Sequence, residues 1–221
     1  ATAAFAAESI TVTSFGGAFS QSQIEAYQKP FSAKTGVTVN AEVYNGGLAE
    51  VRAQVQAGNV TWDVVDLEKQ DVVGACDEGL LEPIDWSTLP PAPDGTPAEK
   101  DFIPGALHEC AVATIVWTTI VAYDETKFPG EKPTKLADFF DIKKFPGMRA
   151  ISKRPVVALE FALMADGVPP GEVYKTLSTD AGMDRAFKKL DTIKENLIFW
   201  EAGAQPPQML ADGEVVMTTA Y

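Results

Sequence analysis

Val37-Thr38-Val39-Asn40-Ala41-Glu42-Val43, followed by Tyr44-Asn45-Gly46-Gly47, is the stretch whose reading settles the class of fold. Val37, Val39, Ala41 and Val43 alternate with polar residues, which is the period of a strand. Asn45-Gly46-Gly47 is turn chemistry. Upstream, Gly36 is a stop signal for a helix. Ser22 with Glu25 reads as a capping box opening that helix, with Ile24, Tyr27 and Phe31 on its inner side. Before it, Ile10–Thr13 is a short β-branched run that ends in the turn Ser14-Phe15-Gly16-Gly17. Downstream, Leu48 to Ala57 is helical and closed by Gly58, and Val64-Val65-Asp66-Leu67 reads as a third, buried strand. Strand, helix, strand, helix, strand over roughly 58 residues is two successive βαβ units, hence a mainly parallel sheet with right-handed crossovers. Ligands of such sheets settle at the carboxyl ends of the strands, so the loops at 14–18, 44–47 and 67–71 are the ones to watch.

Beyond that core, Asp71 to Gly79 reads as another helix, and Leu89 to Pro104 as an irregular, Pro-rich surface loop. Ala111 to Tyr123 is apolar and β-branched, about twice the usual strand length, and reads as a strand crossing between two lobes. Ala150–Ser152 is a short strand, Val156 to Ala165 an apolar helix, and Gln205 to Ala211 a further helix before Gly213. Asp184 to Leu197 is read as an amphipathic helix with Phe187, Leu190, Ile193 and Leu197 inward. Val215–Tyr221 returns to strand, and the sequence stops there, as a fragment of a longer protein would.

The 221 residues carry 18 Lys and Arg against 31 Asp and Glu, a formal charge of -13. A surface that acidic repels phosphate backbones, which argues against nucleic acid as a partner. No apolar run approaches the ~20 residues needed to span a bilayer. Residues 1–8 stand apart: Ala4-Phe5-Ala6 before Ala7-Glu8 has the small-x-small form of a signal-peptidase site, although an Ala-rich terminus has the same composition. Cys76 and Cys110 are the two cysteines and His108 is the single histidine, so a Cys/His metal cage is not available. The cysteines are either a structural disulfide, which would close a loop of roughly 35 residues and add roughly 3–4 kcal/mol, or two unrelated buried thiols.

Several phrases, in order, resemble the extracellular solute-binding proteins of the polyamine-binding (spermidine/putrescine) group that serve ABC importers. They are Ile10-Thr11-Val12-Thr13-Ser14-Phe15-Gly16-Gly17, the Phe31, Thr35-Gly36-Val37 and Val39 array, and Trp62-Asp63-Val64-Val65. Glu78-Gly79-Leu80-Leu81 with Pro83-Ile84-Asp85 follows, then Leu136-Ala137-Asp138-Phe139-Phe140-Asp141 with Phe145-Pro146-Gly147 and Arg149, and finally Ala211-Asp212-Gly213-Glu214-Val215-Val216-Met217. The resemblance runs from about residue 9 to the end. It implies a two-lobed, type II periplasmic-binding-protein-like α/β fold, with lobe 1 over residues 9–115 and a crossing strand and lobe 2 over 116–221. A small solute would sit between the lobes, and closure would present a surface to the membrane permease. It further implies a monomeric, exported, periplasmic protein with no cofactor and no metal.

The candidate contacts combine the residues' chemistry with this resemblance. Gly16 and Gly17 let backbone N–H groups approach a ligand, with Phe15 as a cover; the G-x-G-x-x-G spacing of a dinucleotide site is missing. Glu68 falls where the polyamine-binding group places a polar contact and suits an ammonium group; Gln70, and Tyr44 with Asn45, are further positions in the same loops. Trp117 offers an apolar or cation-π wall, and Trp200 and Tyr221 match aromatic cleft positions of the group. Where polyamine binders carry acids, this chain has Ser152-Lys153-Arg154-Pro155. A cation there repels a diamine, whereas Arg154 suits a carboxylate. The set Phe15, Gly16, Gly17, Tyr44, Glu68, Gln70, Trp117, Arg154, Trp200 and Tyr221 therefore points to a zwitterion such as a γ-amino acid, or a carboxylate, over a linear polyamine. A true polyamine binder and an iron-binding receptor are the alternatives, though the tyrosines are isolated rather than adjacent. Catalysis has no support: G-x-S-x-G, H-E-x-x-H and a phosphate loop are all absent.

Overall fold

The computed structural model describes residues 8–221, so the candidate processing site at Ala4-Phe5-Ala6 lies outside the described residues. Among the described residues the chain divides into two compact units, one running to Val116 and the other from Trp117 to Tyr221.

The first unit opens with β1 (Ser9–Ser14), α1 (Gly17–Gln23), a π-helical turn at Ile24–Gln28, and α2 (Lys29–Thr35). β2 (Thr38–Val43), α3 (Ala49–Gln56) and β3 (Val64–Val65) follow. The sheet order is β2-β1-β3 with both pairings parallel, as two βαβ units require. α1 begins at the glycine pair rather than after Ser22. Gly16 N–H donates to Ser20 Oγ at 2.7 Å, and Ser22 Oγ turns back on Phe19 O at 2.7 Å, so the expected capping box does not form. Glu25 instead meets Lys29 at 2.6 Å. Tyr27 and Phe31 are exposed, contrary to the inward face expected of them, because the π-helical turn shifts the helical phase after Gln23. β3 is also shorter and more open than expected: it sits at the sheet edge, and Val64 is exposed.

α4 (Lys69–Asp77), a one-turn α5 (Ala98–Asp101) and the small antiparallel hairpin of β4 (Leu107–His108) and β5 (Ala111–Val112) complete this unit. Cys76 and Cys110 form a disulfide that ties α4 to the hairpin. The single long strand expected from Ala111 to Tyr123 is not formed. β5 ends at Val112, β6 covers Ile120–Tyr123, and 113–119 has no regular structure. β-branched residues favour extended backbone, but a strand also needs a ladder partner, and β5 and β6 pair in different sheets.

In the second unit the order is β6, α6 (Leu136–Phe140), β7 (Arg149–Ser152), α7 (Ala158–Ala165), α8 (Val173–Leu177), α9 (Asp180–Asp191), β8 (Leu197–Trp200), α10 (Gln205–Ala211) and β9 (Met217–Ala220). The sheet order is β6-β9-β7-β8; β7 runs parallel to both neighbours and only β6 is antiparallel. Successive residues of β7 face opposite sides. Ile151 joins a core with Phe139, Phe145, Leu163, Ile193 and Met217, while Ala150 joins a second cluster with Trp200, Met209 and Val215. α9 starts four residues earlier than expected and ends before Leu197, which opens β8. Thr179 Oγ1 accepts from Gly182 N–H at 3.1 Å and fixes that start. The helix buries Ala186 and leaves Phe187 exposed, contrary to the inward position expected of Phe187.

Candidate functional site

At the carboxyl edge of the first sheet, β1 delivers Phe15 and β2 delivers Tyr44, one residue past each strand. Their rings stack at 5.6 Å with 18° between planes, and Phe19 lies 6.2 Å from Phe15. Trp62 closes on Tyr44 edge-on at 5.3 Å and is itself held by its indole N–H on Glu42 Oε2 at 2.7 Å. Tyr44 is buried, and its hydroxyl donates to the backbone carbonyl of Asp66. Tyr44 is thus backing for Phe15 rather than an open surface. Gly16 has φ 79°, and a Cβ there would stand 2.8 Å from Val43 Cγ1, so glycine is needed for both conformation and space. Glu68 caps α4 through its backbone, its carbonyl accepting from Asp71 N–H at 2.8 Å; its carboxylate accepts from the Gln70 side chain.

The second unit gathers aromatic groups at the carboxyl edge of its own sheet. β6 runs antiparallel, so Trp117, three residues before it, reaches the edge where β8 ends in Trp200 and β9 ends before Tyr221. Trp117 meets Tyr221 at 5.2 Å and Trp200 meets Tyr221 at 5.7 Å, both edge to face. Trp117 is 41% and Tyr221 55% exposed, whereas Trp200 is 3% exposed and supports Tyr221 from beneath. Gly203 lets this ring pack: a Cβ there would be 3.3 Å from Tyr221 Cδ2. Glu201 and Ala202 N–H both donate to Gln205 Oε1 at 2.7 Å, which fixes the loop.

Arg154 and Lys153 follow β7 at the same edge. Lys153 N–H donates to Trp200 O at 2.9 Å, and its ammonium pairs with Glu201 at 2.7 Å. Arg154 is half-buried, with its N–H on Ser152 Oγ at 3.2 Å. Just beyond, Val157 has φ 74°, a conformation that a β-branched residue rarely adopts and that marks this loop as strained. Phe15 and Gly16 with Tyr44, Glu68 with Gln70, and Trp117 with Trp200 and Tyr221 thus form local groups. Trp62, Glu201 and Asp66 were not among the expected site residues. Trp62-Asp63 falls in a motif-bearing stretch, and Glu201 follows Trp200 at the head of the loop 199–205.

Residues 26–221 match the model of a family described as bacterial extracellular solute-binding protein. Over 214 residues the chain is 49% identical to the γ-aminobutyric acid-binding protein of Pseudomonas aeruginosa, a match that covers 97% of this chain and 58% of that protein. It superposes on MotA from A. tumefaciens B6, solved in complex with glucopine, with TM-score 0.84 and 32% identity over 96% of this chain and 63% of that one. It also superposes on a GABA receptor with TM-score 0.78 and 31% identity, covering 96% of this chain and 62% of the other. The chain therefore spans less than two thirds of the length of each of these relatives. The two α/β units, each with a mainly parallel sheet, are the periplasmic-binding-protein-like fold.

Proposed function

Because this chain belongs to the family of bacterial extracellular solute-binding proteins, we propose that the protein is the receptor of an ABC-type importer and captures a small zwitterion of the γ-aminobutyrate kind. The observation that carries this reading is the 49% identity, over 97% of the chain, to a protein named for γ-aminobutyric acid. The chemistry of the candidate residues agrees with it. Arg154 takes the carboxylate, since a guanidinium holds a carboxylate through two parallel hydrogen bonds. Trp117 and Tyr221 offer exposed faces to the methylene chain and, by cation-π attraction, to the ammonium group. Phe15 covers the solute from a glycine turn, and Glu68 is the acid for the amine. A linear polyamine suits these residues less well, since Lys153 and Arg154 bring two cations to the loop after β7.

The role is capture and delivery rather than turnover. The protein is exported through a signal cleaved near Ala6, works as a monomer in the periplasm, and hands its solute to a membrane permease. Isothermal titration of the whole protein with γ-aminobutyrate, 5-aminovalerate, succinate, putrescine and spermidine tests the reading. γ-Aminobutyrate is expected to bind one to one and, at 100 times Kd, to stabilise the fold by about 2.7 kcal/mol in a thermal shift. Spermidine binding more tightly than every amino acid and organic acid would overturn it.

A further inference from the structure

Gln23 closes α1 at 6% exposure, an uncommon depth for an amide. Its Nε2 donates to Asp66 Oδ2 at 2.6 Å, while its Oε1 is buried with no partner among the described residues. Asp66 follows β3. Its N–H donates to Thr13 O at 2.9 Å, and its carbonyl accepts the Tyr44 hydroxyl. Gln23 on the side chain and the β1 strand on the backbone therefore hold Asp66 from two directions, on either side of the carbonyl that fixes Tyr44. Tyr44 in turn lies flat against Phe15, at 5.6 Å and 18°.

The unsatisfied half of a buried amide costs stability and the bond to the Asp66 carboxylate offsets that cost, so glutamine brings little net stability over an apolar side chain of the same shape. Stability alone does not account for glutamine at position 23. We propose that Gln23 and Asp66 are positioning residues, which hold Tyr44 and, through the stacked ring, Phe15 in the orientation that receives the solute. The inference rests on the functional reading above, in which Phe15 covers the ligand.

Titration of the whole protein with γ-aminobutyrate, run beside urea denaturation and ligand-free near-UV circular dichroism, tests the inference. Gln23→Met and Tyr44→Phe are each expected to raise Kd about fivefold, the effect of one lost hydrogen bond. Gln23→Met should leave stability unchanged or improve it. Asp66→Ala should weaken binding by a similar factor, and Asp66→Asn, which keeps an acceptor for Gln23, should recover part of the loss. Without ligand, the Tyr and Trp bands of Gln23→Met should weaken, as the Tyr44–Trp62 pair loosens. Unchanged Kd in Gln23→Met with a fall in stability would overturn the inference and leave Gln23 a packing residue. If the wild type binds none of the solutes, the functional reading fails by itself. The spectra then decide: weakened Tyr and Trp bands in Gln23→Met support the positioning role, and unchanged bands end it.

Discussion

Gly16 is held to glycine by two independent constraints, and they can be separated. Its φ of 79° penalises any L side chain, and a Cβ would press on Val43 Cγ1 at 2.8 Å. Gly16→Ala should therefore destabilise the protein by about 1–3 kcal/mol, measured by urea denaturation. Val43 is 64% exposed and free to give way, so adding Val43→Ala should relieve only the contact and leave the backbone penalty in place. Full recovery in the double variant would show that the φ constraint is negligible. At this scale the glycine pair was legible, because a left-handed turn residue announces itself by type. The burial of Tyr44 was not: it depends on Phe15 and Trp62, which reach it from distant parts of the chain. The positive φ of Val157 was hidden for a similar reason, since nothing in Pro155-Val156-Val157 marks a left-handed residue.

Some elements followed the sequence where a hydrophobic period coincided with a clear stop, although the helix ending at Gly36 kept its stop and not its inward face. α10 occupies the expected Gln205–Ala211, and β1, β2 and β3 fall in the expected order. Reading failed where a partner decides the outcome, as between Ala111 and Tyr123, where the β-branched run continues but the ladder does not. It failed too over what fixes the start of β7. Arg149 is fully buried, and its guanidinium donates to Phe139 O and Gly147 O at 2.9 Å each and also to Phe145 O. It thereby clamps the loop between α6 and β7. Burial pushes its pKa down to about 10, still well above neutrality, so the clamp is charged under ordinary conditions. Arg149→Met should leave these carbonyls without their donor and cost about 2–4 kcal/mol. Arg149→Lys should rescue little, because one ammonium cannot span donors set apart on a planar fork. Chemical denaturation of both variants checks this, and a lysine variant as stable as the wild type would refute it.

For the molecule as a whole, composition argued against nucleic acid as a partner, and the ordered phrases pointed to the polyamine-binding group of solute-binding proteins, of which the family model bears out the solute-binding family and not the polyamine group. What remained open was whether the two cysteines pair. They do, with Cα atoms 5.8 Å apart and a sequence separation of 34. The bond joins α4, which starts immediately after Glu68, to the hairpin that precedes the irregular segment at 113–119. Closing a loop of this length restricts the unfolded chain and is worth about 3–4 kcal/mol. The effect belongs to the first unit, because both cysteines lie before Val116 and the second unit contains none. A Cys76→Ala/Cys110→Ala variant in scanning calorimetry should therefore lower the transition of the first unit by roughly 10–20 °C. The transition of the second unit should stay where it is, since the Phe139, Phe145 and Leu163 core is untouched by the change. A fall confined to the second transition, or none at all, would show that the bond does not carry the stability assigned to it.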